Sequence, residues 1–149
     1  MKKDVYIYSF IGLVLDIITK IIMIDKIPYR TSKTIIDGFF KLTMVHNTGG
    51  AFGLFRDNTI ILGIIGVLFT GAFIYYIEKN ELSKLERISC SMILSGIIGN
   101  IIDRVVRGYV VDFLDFNIFG YDYPVFNVAD IFITIGVIAL ISMLLIYKR

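Results

Sequence analysis

The sequence predicts an α-helical membrane protein with four transmembrane helices and a small extracytoplasmic β element between helices 1 and 2. Three observations predict it. Of the 149 residues, 56% are hydrophobic, above the ~45–50% apolar content usual for soluble domains. The excess falls in four blocks, at residues 5–23, 59–77, 88–106 and 128–147, each near the ~20 residues that cross a bilayer as a helix. Between the first two blocks, Phe40, Leu42 and Met44 alternate with Lys41, Thr43 and Val45, the period-two pattern of a strand. Residues 1–149 read as a single domain.

The first block follows Lys2 and Lys3, so a secretory signal peptide is one reading of it. Asp16 and Lys20 inside the block, and the lack of a small-residue cleavage site after it, favour an uncleaved transmembrane helix. Residues 24–58 are mixed and polar. There the alternating segment gives a short strand, and His46-Asn47-Thr48-Gly49-Gly50 gives a turn. The second block carries Gly63, Gly66 and Gly71, which suit close helix packing in lipid. Residues 78–87 form a charged hairpin loop. The third block is polar at its far end, with Asn100, Asp103 and Arg104. Residues 107–126 read as an aromatic, Asp-studded loop, and the fourth block completes the chain.

Several function classes are excluded early. A net charge of +2 without a basic, aromatic-interleaved patch argues against nucleic-acid binding. Cys90 is the sole cysteine, so no intrachain disulfide forms, and one His (His46) with one Cys does not make a zinc site. No metal or other cofactor is expected, though carboxylates alone can hold a hard cation.

Four spans place both termini on one side. Lys2, Lys3, Lys79, Lys84, Arg87, Lys148 and Arg149 flank that side, against Lys26, Arg30, Lys33, Lys41, Arg56 and Arg107 on the other. The positive-inside rule favours cytoplasmic termini by a small margin. In that topology Asp16, Lys20, Asn47, Asn100, Asp103, Arg104, Asp112 and Asp130 all fall near the outer face. Each charge within the bilayer costs about 2.5–3.5 kcal/mol on insertion scales, so their gathering on one face points to a shared site.

Bland readings compete with that one. Asp16 and Lys20 are spaced i, i+4 and can pair, with Lys20 merely snorkelling to the interface. Asn100, Asp103 and Arg104 share a turn and form an interfacial cluster, or else Arg104 holds a carboxylate or carbonyl bidentately. Residues 95–100 hold Gly96 and Gly99, which allow close backbone approach. Asn127 and Asp130 have the spacing of an N-cap and an acidic third helical residue. Asp112 competes with Asp115 and Asp122. The flanking Val110, Val111 and Phe113 would raise its pKa, which is a weak preference. Ser89, Ser91 and Ser95 lack a neighbouring histidine, and no G-x-S-x-G is present, which leaves only a Ser–Lys arrangement with Lys20 open among the serine mechanisms. Residues alone leave open an enzyme, a small transporter handling protons or cations through the same carboxylates, and a structural scaffold.

Five segments together resemble the lipoprotein signal peptidases, or signal peptidase II. They are Asp16-Ile17-Ile18-Thr19-Lys20, Asn47-Thr48-Gly49-Gly50-Ala51-Phe52-Gly53, and residues 95–104 reading SGIIGNIIDR. Gly108-Tyr109-Val110-Val111-Asp112-Phe113 and Phe126-Asn127-Val128-Ala129-Asp130 complete the set. Gly50 stands where the family often has alanine and Ser95 where it often has glycine. The resemblance implies an intramembrane aspartyl endopeptidase of the bacterial cell membrane, with Asp112 and Asp130 as the catalytic pair. Asn47, Asn100, Arg104, Asn127, Asp16 and Lys20 would bind substrate or support the pair. The implied substrate is a prolipoprotein bearing a diacylglyceryl group on its cysteine, cut just before that cysteine. Membrane lipids are implied partners, and a monomer is expected. By the same resemblance the first outer loop is a β-cradle, and residues 107–123 are a mobile flap.

Overall fold

The computed structural model describes residues 2–50 and 58–147. Ala51, Phe52 and Gly53 of the second segment, and Arg56, Lys148 and Arg149 of the charge count, lie outside them. In chain order the elements are α1 (Lys3–Lys26), β1 (Ser32–Ile36), β2 (Phe40–Asn47), α2 (Thr59–Lys79), α3 (Lys84–Arg107), β3 (Val110–Ile118), β4 (Tyr121–Asp122) and α4 (Val128–Tyr147). All four helices are long and apolar enough to cross a membrane.

α3 is the centre of the bundle and packs against each of the other three helices. It starts four residues before the apolar block. There the Ser83 side chain accepts from Glu86 N, and the Glu86 carboxylate accepts from Ser83 N, so two orphan amides of the first turn are satisfied reciprocally. Val5, Ile77, Cys90, Ile93, Leu140 and Met143 form the core at the end of the bundle that carries the chain's first residues. There Lys2 also donates to the Glu78 carbonyl, and Arg87 faces Asp4.

Glycines make the bundle close. A β-carbon at Gly96 would collide with the Ala129 carbonyl oxygen, and one at Gly99 with an Asp16 carboxylate oxygen. These two positions bring α4 and α1 onto α3 where the polar residues lie. α2 behaves differently from expectation. Only Gly66 meets a neighbour, Ile101, whereas a side chain at Gly63 or Gly71 would meet nothing among the described residues. α2 is the outlying helix, so those two glycines do not serve close packing among the described residues.

The β element is larger than the sequence suggested. The strands make one sheet in the order β1-β2-β3-β4, with antiparallel neighbours. The segment read as a loop at 107–126 therefore contains the strand β3, zipped to β2. His46 and Asn47, expected in a turn, are the last residues of β2, opposite Val111 and Val110. Period-two pleating is obscured in 110–118 because flanking positions are apolar too. Val111 and Phe113 pack with Ile27 and Met44 over the helix ends, which leaves Asp112 for the opposite face.

Candidate active site

Three junctions bring the polar residues together. α3 ends at Gly108, whose left-handed backbone (φ 79°) caps the helix and turns the chain back into β3. That turn sets Val111 N against Asp103 Oδ2 at 3.0 Å. At the other end, Leu114 bridges Phe126 in antiparallel fashion, so Asn127 arrives beside Asp112. In β2, Val45 is opposite Asp112 and Asn47 lies two residues further. That spacing puts Asn47 on the same face, within diagonal reach.

Asn127 and Asp130 make both bonds of their cap. Asp130 N donates to Asn127 Oδ1 at 2.9 Å, and Asn127 N donates to Asp130 Oδ2 at 3.1 Å. The Asn127 amide nitrogen then remains free to donate to Asp112 Oδ1 at 2.7 Å. Asp112 Oδ2 receives Asn47 Nδ2 at 2.9 Å, and Asp130 Oδ1 receives Asn100 Nδ2 at 2.9 Å. Each of the four oxygens of the two carboxyls thus accepts one amide hydrogen bond. Both carboxyls line one cavity of about 860 Å³, shared with Asn47, Asn100, Arg104 and His46.

The three asparagine side chains follow one rule. An amide oxygen accepts and its nitrogen donates, so an obligate donor placed on the oxygen decides which way the group faces. Gly49 N–H occupies Asn47 Oδ1 at 2.9 Å, Asp130 N–H occupies Asn127 Oδ1, and the Lys20 ammonium occupies Asn100 Oδ1 at 3.1 Å. All three therefore turn their NH₂ groups toward a carboxyl.

Lys20 is 1% exposed. It points into the bundle, so the snorkelling reading does not hold. Its ammonium forms ion pairs with Asp16 Oδ2 at 2.8 Å and Asp103 Oδ2 at 3.0 Å and donates to Asn100 Oδ1. Asp16 in turn accepts from Ala129 N at 3.0 Å at the start of α4. Among the described residues, Arg104 holds no carboxylate. It donates to the carbonyls of Asn100 and Gly49 at 3.2 and 3.1 Å, and its buried Nε has no partner among the described residues.

Burial pushes the Asp112 carboxyl up to about 7, with the neighbouring Asp130 charge as a second cause and the Asn47 and Asn127 amides opposing. His46 is stacked between Tyr29 and Tyr109, at centroid distances of 4.0 and 3.7 Å. Burial, and secondarily Arg107, hold its pKa below the usual value. Asp115 and Asp122 lie farther along the sheet, bonded to Thr43 and Asn117. They stand apart from the cavity lining. Asp103 is the polar residue whose part was least visible in the sequence. Its one signal was its place in the same helical turn as Asn100 and Arg104.

Known proteins resemble this chain over nearly its whole length. The profile of the family described as signal peptidase (SPase) II matches residues 8–146. The lipoprotein signal peptidase of Fusobacterium nucleatum is 43% identical, over 97% of this chain and 88% of its own. That of Clostridium acetobutylicum is 41% identical, over 93% and 90%. A bacterial membrane enzyme solved in meso at 2.3 Å superposes with a TM-score of 0.90 at 34% identity, covering 99% of this chain and 90% of that one. A second, at 1.9 Å, gives 0.86 at 35% identity, over 96% and 93%. These matches favour a peptidase over a transporter, and the chain belongs to the signal peptidase II family.

Proposed function

We propose that this protein is an intramembrane aspartyl endopeptidase that removes signal peptides from diacylglyceryl-modified prolipoproteins, with Asp112 and Asp130 as its catalytic pair. The observation that carries the reading is the shared cavity, in which both carboxyls are held by amides that point only donors at them. Two carboxyls sharing one proton are equipped for general acid and base work together. The raised Asp112 pKa supports such a shared proton at neutral pH.

The ionised partner takes a proton from a water, whose oxygen attacks the scissile carbonyl carbon. The protonated partner gives its proton to the carbonyl oxygen. Collapse of the resulting gem-diol breaks the C–N bond: the second carboxyl, now ionised, takes a proton from one gem-diol hydroxyl as the C=O re-forms, and the leaving amine takes up the proton held by the first carboxyl, which returns the pair to one shared proton. The Arg104 Nε, buried at the cavity and aimed at no protein acceptor among the described residues, is a donor for the carbonyl of a bound peptide.

The acyl chains stay in the bilayer because each buried methylene is worth about 0.8 kcal/mol, and they hold the adjacent peptide bond at the outer interface. The charge balance of the short flanks supports cytoplasmic termini and an outward-facing site.

The test is cleavage of a lipidated precursor in membranes by wild type, Asp112→Asn and Asp130→Asn. Wild type is expected to cut before the modified cysteine, and both variants to insert yet lose cleavage. Full activity in either variant overturns the pair.

A further inference from the structure

We propose that Lys20 is a positioning residue that fixes the side-chain orientation of Asn100, and through it the hydrogen bond that Asn100 gives to Asp130. The inference rests on the peptidase reading above and deepens it. Two of the three site asparagines have their oxygens occupied by backbone N–H groups, of Gly49 and Asp130. These orientations come with the chain itself. Asn100 is different. Its oxygen is occupied by the Lys20 ammonium at 3.1 Å and by Asn127 Nδ2 at 3.2 Å.

An ammonium can only donate, so it excludes the flipped rotamer, in which Asn100 would set its NH₂ against Lys20 and its oxygen against Asp130 Oδ1. Lys20 itself cannot turn away. Asp16 Oδ2 and Asp103 Oδ2 hold it at 2.8 and 3.0 Å, and it is 1% exposed. Asp103 Oδ2 also accepts Val111 N. The same oxygen that anchors Lys20 therefore anchors the strand bearing Asp112. Without the ammonium, Asn127 still offers a donor to Asn100, but that amide hydrogen bonds to Asp112 as well and is the weaker constraint.

The test is a double-mutant cycle with Lys20→Met and Asn100→Leu, singly and together, on lipidated precursor in membranes. Each single variant is expected to lower kcat by on the order of 10²-fold, as for loss of one preorganised donor at a reacting charge, with KM within about twofold of wild type. The double variant is expected to fall no further than the worse single one, because both remove the same interaction. Losses that multiply, a Lys20→Met kcat equal to wild type, or a rise in KM that accounts for the loss would overturn the proposal.

Removing Lys20 leaves Asp16 and Asp103 facing each other, so Lys20→Met/Asp103→Asn is made in parallel to relieve that repulsion. Failure of both proteins to accumulate in the membrane would show that Lys20 holds the fold and not an orientation, which also overturns the proposal. An activity-independent readout separates this from the peptidase reading. The Asn100 side-chain amide protons, followed by ¹⁵N-resolved NMR in detergent, are expected to be protected in wild type and to lose protection in the Lys20 variant. A wild type that leaves precursor uncut would refute the peptidase reading while this NMR result still decides the orientation.

Discussion

Asn127 holds Asp112 and Asp130 with different parts of itself. Its side-chain nitrogen donates to Asp112 Oδ1 at 2.7 Å, and its backbone N–H donates to Asp130 Oδ2 at 3.1 Å. A residue that caps α4 thus also couples a strand carboxyl to a helix carboxyl. Capping and the site chemistry are one arrangement here.

Replacing Asn127 by alanine should therefore cost on two scales. Loss of the cap should destabilise by about 1 kcal/mol. Loss of the Asp112 contact should lower kcat by on the order of 10²-fold. Thermal unfolding in detergent and cleavage of lipidated precursor measure the two. A melting shift with unchanged kcat would confine Asn127 to the cap.

On the proposed mechanism, Asp112 should make both activity and stability depend on pH. Its folded pKa of about 7 lies above the ~3.9 of an unfolded aspartate, so the folded protein binds this proton more tightly. Its contribution is most favourable at low pH, declines as pH rises between those two values, and is fully unfavourable above about 7. Unfolding scans at pH 5 and pH 8 should show wild type less stable at pH 8, with a smaller difference in Asp112→Ala. Cleavage should fall as pH rises past neutrality, where the proposed pair would lose its shared proton. Activity still climbing at pH 9 would contradict this.

His46 lies in the cavity wall as an aromatic, stacked on Tyr29 and Tyr109. His46→Phe keeps that stacking and removes the imidazole. Cleavage should stay within about threefold of wild type, since one stacked pair is worth about 0.5–1.5 kcal/mol and is retained. Abolished cleavage in a well-inserted His46→Phe protein would revive a histidine-dependent mechanism.

Gly99 and Gly96 give a steric prediction. A methyl at residue 99 would meet the Asp16 carboxylate, and one at residue 96 the Ala129 carbonyl. Both alanine variants should lower stability by about 1–3 kcal/mol, the usual cost of overpacking. Gly63→Ala, with open space around it, is the control and should be neutral or slightly stabilising. Equal melting temperatures across the three would argue against close helix approach at the site.

The substrate's lipid should matter more than its sequence length. Precursor lacking the diacylglyceryl group should be cut far more slowly at equal concentration, because nothing then holds its scissile bond at the interface. Parallel time courses of both precursors, followed by mass spectrometry, measure this. Equal rates would remove the membrane-anchoring argument.

Much of this protein was determined by its sequence alone. Four apolar blocks fix four spans, because lipid leaves a backbone few alternatives to a helix. Asp16, Lys20, Asn100 and Arg104 stood out because charge and amide groups are costly in those blocks, and Asn127 with Asp130 announced their own cap. Three things only the tertiary structure decided. Residues 110–118 became a strand because β2 was there to pair with, while their own apolar pattern was too continuous to show a period. Lys20 turned inward because Asp103 and Asn100, some eighty residues away in the chain, come to lie against it. The direction in which each asparagine faces was decided last, because it depends on which obligate donor reaches its oxygen, a matter of three-dimensional neighbours that no local spacing encodes.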